Sequence, residues 1–478
     1  MICRSFAEEE FSHAQLGDPR RTRRVVRMVS QLEEKPGGKI TDVFPQGAAR
    51  EAAYRCLENE NVKPEELERA RNVACMGRME RLGGTIVVAV DRASIQLSDR
   101  DGVRDFGSVG KRSTGTRGAQ VLTGLALDEA GAPLGVAHQD LWARSETRSP
   151  ARRPGNWNRR RERDKRAPEE RESVRWVEGI QAIHDLAQEH APSVRLWCQL
   201  DREGDFWGVH QVAARLGLWV TVRMNQAHVI RDTKHHEGPL MPYIKSQPIE
   251  YWIDLHLPAH DGLPQRVARL SVRFAQAQLR LPTPGGRTWV QQWLVYVDEP
   301  SRPRASNRIQ WLLGTTYPVH DITDALRVIE HYKWRWRIED FHRAWKSGCC
   351  DIESSQLQSL SAFHRWAILT SSMAARAEHI KHYSREYPDA PATVVYTRDE
   401  IDTLLLWRLA EAPKARIHYQ PGETPHLAEM TRWVAELGGF MKSSKVLPGA
   451  VTLARGLAYL ETLVRGRNLA RQRKRTSG

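Results

Sequence analysis

Apolar and polar positions alternate with different periods along the chain and divide it into three textures. Over residues 1–80 the apolar positions recur at helical spacing. Val25, Val26, Met28, Val29 and Leu32 follow Leu16-Gly17-Asp18-Pro19, and two more helical stretches lie at Glu51–Asn61 and Pro64–Met79. At Gly83-Gly84 the texture changes. Thr85–Val90 is a short β-branched run ending at Asp91, and Val194–Leu200 is a second one ending at Asp201, so both predict buried strands. Gln120–Leu127 and Leu134–Trp142 flank Asp128–Pro133 as a hairpin. Ser173–Glu189 and Trp207–Leu216 predict helices, and Trp219–Arg223 a strand. From about 228 to 308 strict alternation dominates (Ile249–Leu257, Arg266–Phe274, Thr288–Val297), which predicts an antiparallel insertion. Trp311–Thr315 returns to buried-strand texture. One long helix is then expected from about Ile322 to Lys346, with Asp321 as its cap and Gly348 as its stop, and the remainder reads helical through Ile401–Leu409, Leu427–Leu437 and Thr452–Val464.

These elements predict an α/β fold: a mixed sheet flanked by helices, carrying an antiparallel β insertion, between helical N- and C-terminal domains. The expected boundaries are 1–80, 81–360 and 361–478. A length of 478 residues suits two or three full cores, and 40% hydrophobic residues with 16 Trp indicate globular structure. No apolar run reaches the length of a membrane span, and the N-terminus lacks the apolar core of a signal peptide, so a cytoplasmic protein is expected. Six Cys without finger spacing argue against structural zinc and disulfides.

Charge narrows the function. The net charge is +14, and it is concentrated. Arg144 to Arg175 holds twelve basic and six acidic residues, the tail after Glu461 is basic throughout, and Arg20, Arg21, Arg23, Arg24 and Arg27 form a dense N-terminal cluster. Such clusters fit a polyanionic partner, although each alone is equally a solvated face.

Asp91 and Asp201 end buried strands, where side chains are aimed into a crevice. A lone strand-end Asp is more often a turn or cap residue. The long helix alters that weighting. Tyr332, Arg335, Glu339 and Lys346 fall within about 60° of one another at helical spacing, so one stripe carries a phenol, two cations and a carboxylate. Trp334, Trp336, Ile338 and Trp345 surround it, which predicts a largely buried helix whose charges must meet partners, metal or phosphate. Asp340 is the rival carboxylate, about 100° from Glu339. Asp91, Asp201 and Glu339 can together hold two divalent cations on oxygen ligands. Mg2+ or Mn2+ suits such a site, and two-metal phosphoryl transfer is its chemistry.

Leu16-Gly17-Asp18-Pro19-Arg20-Arg21, Asp201-Arg202-Glu203-Gly204-Asp205, the stripe from Tyr332 to Lys346 and Glu436–Met441 closely resemble the IS-four family of bacterial insertion-sequence transposases. Where that family usually has Asp-Thr-Thr, this chain has Asp91-Arg92-Ala93-Ser94. The resemblance implies a ribonuclease-H-like core with Asp91, Asp201 and Glu339 as its DDE triad. It further implies cleavage of element ends through a DNA hairpin, joining to target double-stranded DNA, and a homodimer in the synaptic complex. Tyr332, Arg335, Lys346 and Arg223 would be DNA contacts. Trp311 would stack on a flipped base, its alternative being a core aromatic, and Arg20 and Arg21 would contact phosphates of the end. A catalytically silent DNA-binding protein and a nuclease that cuts without joining remain the rivals.

Overall fold

The computed structural model describes residues 5–476 except 100–103, 110–115, 145–171, 258–263, 284, 303–307, 412–417, 421 and 442–446. The basic segment expected as a loop at 144–168 thus lies almost wholly outside the described residues. The strands are β1 (Gly84–Leu97), β2 (Gly107–Ser108), β3 (Arg117–Leu127), β4 (Pro133–Trp142), β5 (Val194–Leu200), β6 (Trp219–Arg223), β7 (Val229–Arg231), β8 (Glu237–Pro239), β9 (Tyr251–Leu257), β10 (Arg266–Thr283), β11 (Gly286–Asp298) and β12 (Gln310–Thr315). The chain forms two compact units: residues 1–82, 92–149 and 337–478 make one, and 83–91 with 150–336 make the other.

The second unit is built on a mixed sheet. The first half of β1 runs parallel to β5, and β5 runs parallel to β6. From β6 outward the pairing turns antiparallel, through β12, β11 and β10, with β9 and β7 on the far side of β10. Period-two alternation explains the layering. Val295, Val297 and Leu313 pack with Trp197 against Val328, Ile329 and Tyr332 of the helix Ile322–Trp334. Leu294, Tyr296 and Leu312 face the opposite core with Met224, Leu240 and Leu279. The stretch read as alternating is therefore an antiparallel insertion, as expected.

The first unit combines the β3–β4 hairpin with helices from both ends of the chain. One of its long-range polar ties is made by fully buried Arg71, which donates to Gln139 Oε1 at 2.7 Å and Ser371 Oγ at 2.8 Å. At the N-terminal end, Gly17 takes φ +73°, Asp18 accepts the Arg20 N–H at 2.8 Å and Pro19 opens the helix Pro19–Glu34. The C-terminal helices enclose a core of Ile401, Leu404, Leu427, Val434, Leu453 and Leu460. Among the described residues, no helix is long and apolar enough to cross a membrane.

Three sequence expectations need correction. The first strand does not end at Asp91 but continues to Leu97, because its second half lies beside β3, where Ser94 Oγ donates to Gln120 Oε1 at 3.1 Å. The expected single helix at 322–346 is two helices, Ile322–Trp334 and Arg337–Lys346. At the break the bonds tighten to the 3-10 pattern, with Arg335 N–H to the Tyr332 carbonyl at 3.1 Å and Trp336 N–H to the Lys333 carbonyl at 3.2 Å. The stripe calculated for one continuous helix therefore does not carry across residues 335–336. Trp336, expected to help bury the helix, is 51% exposed. The Asp321 cap is present, accepting the Asp324 N–H at 3.0 Å.

Candidate active site

The parallel register of β1 and β5 places the first two carboxylates. The last paired positions are Val90 and Leu200, so Asp91 and Asp201 each follow directly on neighbouring strands. Parallel neighbours stand about 5 Å apart, so the two acids lie side by side where the β1–β5 pairing ends. Asp201 is fixed by a local turn. Its Oδ1 accepts the Glu203 N–H at 2.8 Å and it caps the 3-10 turn Arg202–Gly204. The turn lies so close to the strand that a Cβ on Gly204 would meet Leu200 Cδ2 at 2.7 Å, which only glycine avoids.

Cationic and aromatic groups of the same unit surround this pair. Arg335 Nη1 lies 3.5 Å from Asp91 Oδ2, and its guanidinium stands 6.0 Å from the Tyr332 ring and 5.5 Å from the Trp336 ring. Burial raises the Asp201 carboxyl above the ordinary carboxylate range, against the Glu203 N–H and the nearby Arg335 charge, which lower it. Burial likewise raises the Tyr332 phenol, opposed by Arg335 and Arg223. Arg223 ends β6, donates to the Gln310 carbonyl at 3.2 Å and is lowered chiefly by burial. Trp311, on β12, meets Tyr332 edge-on with ring centroids 6.0 Å apart, and it is half-buried rather than sealed in the core. The structure thus brings Asp91, Asp201, Arg223, Trp311, Tyr332 and Arg335 together in one unit.

Glu339 and Lys346 belong to the other unit, three and ten residues past Trp336. They line a cleft of about 400 Å³ with Ser94, Gln96, His342 and Glu353. Lys346 Nζ stands 3.4 Å from Glu353 Oε1, which also accepts the Gln96 N–H at 2.9 Å. Asp340 points elsewhere. Its carboxylate lies 3.6 Å from both Lys381 Nζ and His382 Nε2 on the helix Leu360–Glu386, and these with Arg343 outweigh burial to hold it well below the usual range. Asp340, Glu378 and His382 could by spacing hold a metal ion, but the Lys381 ammonium already pairs with Glu378 inside that group.

On the helix Pro19–Glu34, Arg20 is exposed, whereas Arg21 donates to the Leu16 carbonyl at 2.8 Å and locks the Gly17 turn. Arg23 and Arg27 line an open cleft of about 920 Å³ between this helix and the short helix Phe6–Phe11.

The sequence matches two family models: "Transposase DNA-binding" over residues 3–62 and "Transposase DDE domain" over residues 151–375. Residues 3–62 thus read as a transposase DNA-binding domain and residues 151–375 as a transposase DDE domain. The chain's α/β architecture is that of a ribonuclease-H-like core with helical flanks, its DDE domain marks a nucleic-acid-processing enzyme that uses divalent metal, and DNA is its partner. Arg20 and Arg21 fall in the first match. Asp201, Arg223, Trp311, Tyr332, Arg335, Glu339 and Lys346 fall in the second, and Asp91 precedes it.

Sequence reasoning missed three features. Glu353 as the partner of Lys346, the Asp340–Lys381–His382 cluster and the network around Asp205 all depend on contacts distant in sequence. Asp205 stood inside a quoted motif, which was the one available signal.

Proposed function

We propose that this protein is a transposase that cleaves the ends of its element and joins them to target DNA, with Asp91, Asp201 and Glu339 as the acids of the reaction. The single observation that carries the reading is the register that sets Asp91 and Asp201 side by side, with the Arg335 guanidinium 3.5 Å from one of them. Adjacent carboxylates supply hard oxygen ligands, and the raised Asp201 carboxyl is the expected state of an acid waiting for a countercharge. Two Mg2+ or Mn2+ ions held by the three acids would activate a water or 3′-hydroxyl and stabilise the leaving oxygen. The protein's own residues do the rest. Arg335, Arg223 and Lys346 bind phosphates of the end, Tyr332 stacks against Arg335, and Trp311 takes up a base unstacked as a hairpin forms.

In this reading residues 1–80 bind the element end, 81–360 carry the chemistry and 361–478 mediate a homodimer in the synaptic complex, as in the IS-four type. The test is strand transfer. A pre-cut duplex bearing the terminal inverted repeat that flanks the gene is incubated with supercoiled plasmid and Mg2+. Covalent joining of the 3′ end to plasmid is expected. End cleavage without joining would make the protein a nuclease and overturn the proposal.

A further inference from the structure

The side chain of Asp205 is wholly buried, four residues beyond Asp201, and no step of the chemistry above uses it. Its Oδ2 accepts the Asn225 N–H at 2.7 Å and lies 2.7 Å from His228 Nε2. Both partners come from the segment that follows β6, and Asn225 is two residues past Arg223. The other oxygen, Oδ1, faces His210 Nε2 at 3.9 Å. Gln292 Nε2 stands 3.1 Å from His210 Nδ1, so its amide donates there and the ring proton lies on Nε2, aimed at Asp205. Asp205 therefore ties together the turn after β5, the turn after β6, the helix Trp207–Leu216 and, through Gln292, β11.

Between Asp205 and Asp201 there is little slack. Gly204 N–H bonds the Asp201 carbonyl at 3.2 Å, Asp205 N–H bonds the Arg202 carbonyl at 3.3 Å, and Gly204 is pressed on Leu200. A shift of the Asp205 carboxylate is passed along this turn to Asp201. In the other direction it is passed to Arg223 through Asn225.

We propose that Asp205 is a positioning residue that sets the aim of the Asp201 carboxylate and the Arg223 guanidinium by clamping their two turns together. This inference rests on the proposed role of Asp201. Outer partners of metal-binding carboxylates typically change metal affinity or activity by about 10- to 100-fold when lost. The clamp works through hydrogen bonds rather than through its charge. Asn at 205, with its oxygen in the place of Oδ2, still accepts from both the Asn225 N–H and the His228 Nε2–H, and its NH2 takes the looser position facing His210, so it preserves the two short ties that Ala removes.

The experiment measures nicking of the terminal-repeat duplex against Mn2+ concentration for the wild type, D205A, D205N, H228A and D201N, with melting temperature and duplex binding recorded in parallel. For D205A the Mn2+ concentration giving half-maximal nicking should rise about tenfold or more, with duplex binding retained. D205N should return most of the way to wild type, and H228A should fall between. If D205A is too unstable to assay, the same ordering of H228A and D205N carries the test. A D205A or H228A enzyme with an unchanged Mn2+ midpoint, losing rate only in proportion to its unfolded fraction, would overturn the positioning role. Normal nicking by D201N would instead overturn the assignment of Asp201, which separates the two failures.

Discussion

Replacing Trp311 by Ala separates a base-stacking role from a core role, and the structure sets the size of each effect. The indole is half-buried on β12, packs against the core of its unit and touches Tyr332 edge-on at 6.0 Å. Full truncation of a buried aromatic costs about 3–5 kcal/mol. A half-buried ring with one aromatic neighbour should cost roughly half of that, about 2 kcal/mol, which lowers the melting temperature of a unit this size by about 4–8 °C. Stacking on an unstacked base is worth about 1–3 kcal/mol, equivalent to roughly ten- to a hundredfold in rate. A denaturing gel that resolves nicked from hairpin product, run well below the melting temperature, reads the two separately. The W311A enzyme should bind ends and nick them at near wild-type rate while forming hairpins ten- to a hundredfold more slowly. W311F should recover most of the loss. Nicking and hairpin formation falling together, in step with early melting, would refute the stacking role and make Trp311 a core residue.

The two N-terminal arginines should behave differently. Exposed Arg20, replaced by Ala, should flatten the salt dependence of end binding by about one unit of log–log slope without loss of stability. R21A should also lower the melting temperature, because it strips the Leu16 carbonyl of a charged donor worth about 1.5–3 kcal/mol. An unchanged slope for R20A would move the end contact elsewhere. Asp205 makes stability sensitive to acid. Burial would raise its carboxyl, but His210, His228 and the Asn225 N–H outweigh that and bring it from 3.8 down to about 2. A depressed acid adds stability that is full above about pH 4 and lost as the pH falls toward 2, here about 2 kcal/mol. Urea midpoints measured from pH 5 to pH 2.5 should fall less steeply for D205N than for the wild type, and parallel curves would contradict the assignment.

Much of the fold was legible because local pattern and tertiary environment agree. Val194–Leu200 and Trp207–Leu216 have the bounds their patterns predict, the latter closed by Gly217 at φ +63°. What failed was set by pairing rather than by pattern. Asp91-Arg92-Ala93-Ser94 looks like a strand end because its polar residues break the apolar run, yet the backbone continues beside β3. The break at Arg335–Trp336 carries no Gly or Pro to announce it, so helical periodicity runs through it unmarked. In the site, Asp91 and Asp201 were readable because each follows a buried run. Asp205 was not, since its partners His210 and His228 lie 5 and 23 residues away on separate elements. The phase that set Glu339 apart from Asp340 assumed one continuous helix, and the break at 335–336 removes that basis. The reason Asp340 turns away, its pairing with Lys381 and His382, appears only in the packed structure.

The central claim is that three acids, and not their neighbours, carry the reaction. It is tested most directly by single-turnover cleavage of the terminal-repeat duplex in Mg2+ with D91N, D201N, E339Q and D340N, each matched to the wild type in end binding. Each of the first three removes one negative charge while keeping size and hydrogen bonding, and should lose about 10³-fold or more in rate, several kcal/mol of charge stabilisation. D340N, whose carboxylate faces Lys381 and His382, should cut at a rate close to wild type. Wild-type cleavage by E339Q, with D340N inactive, would contradict the account.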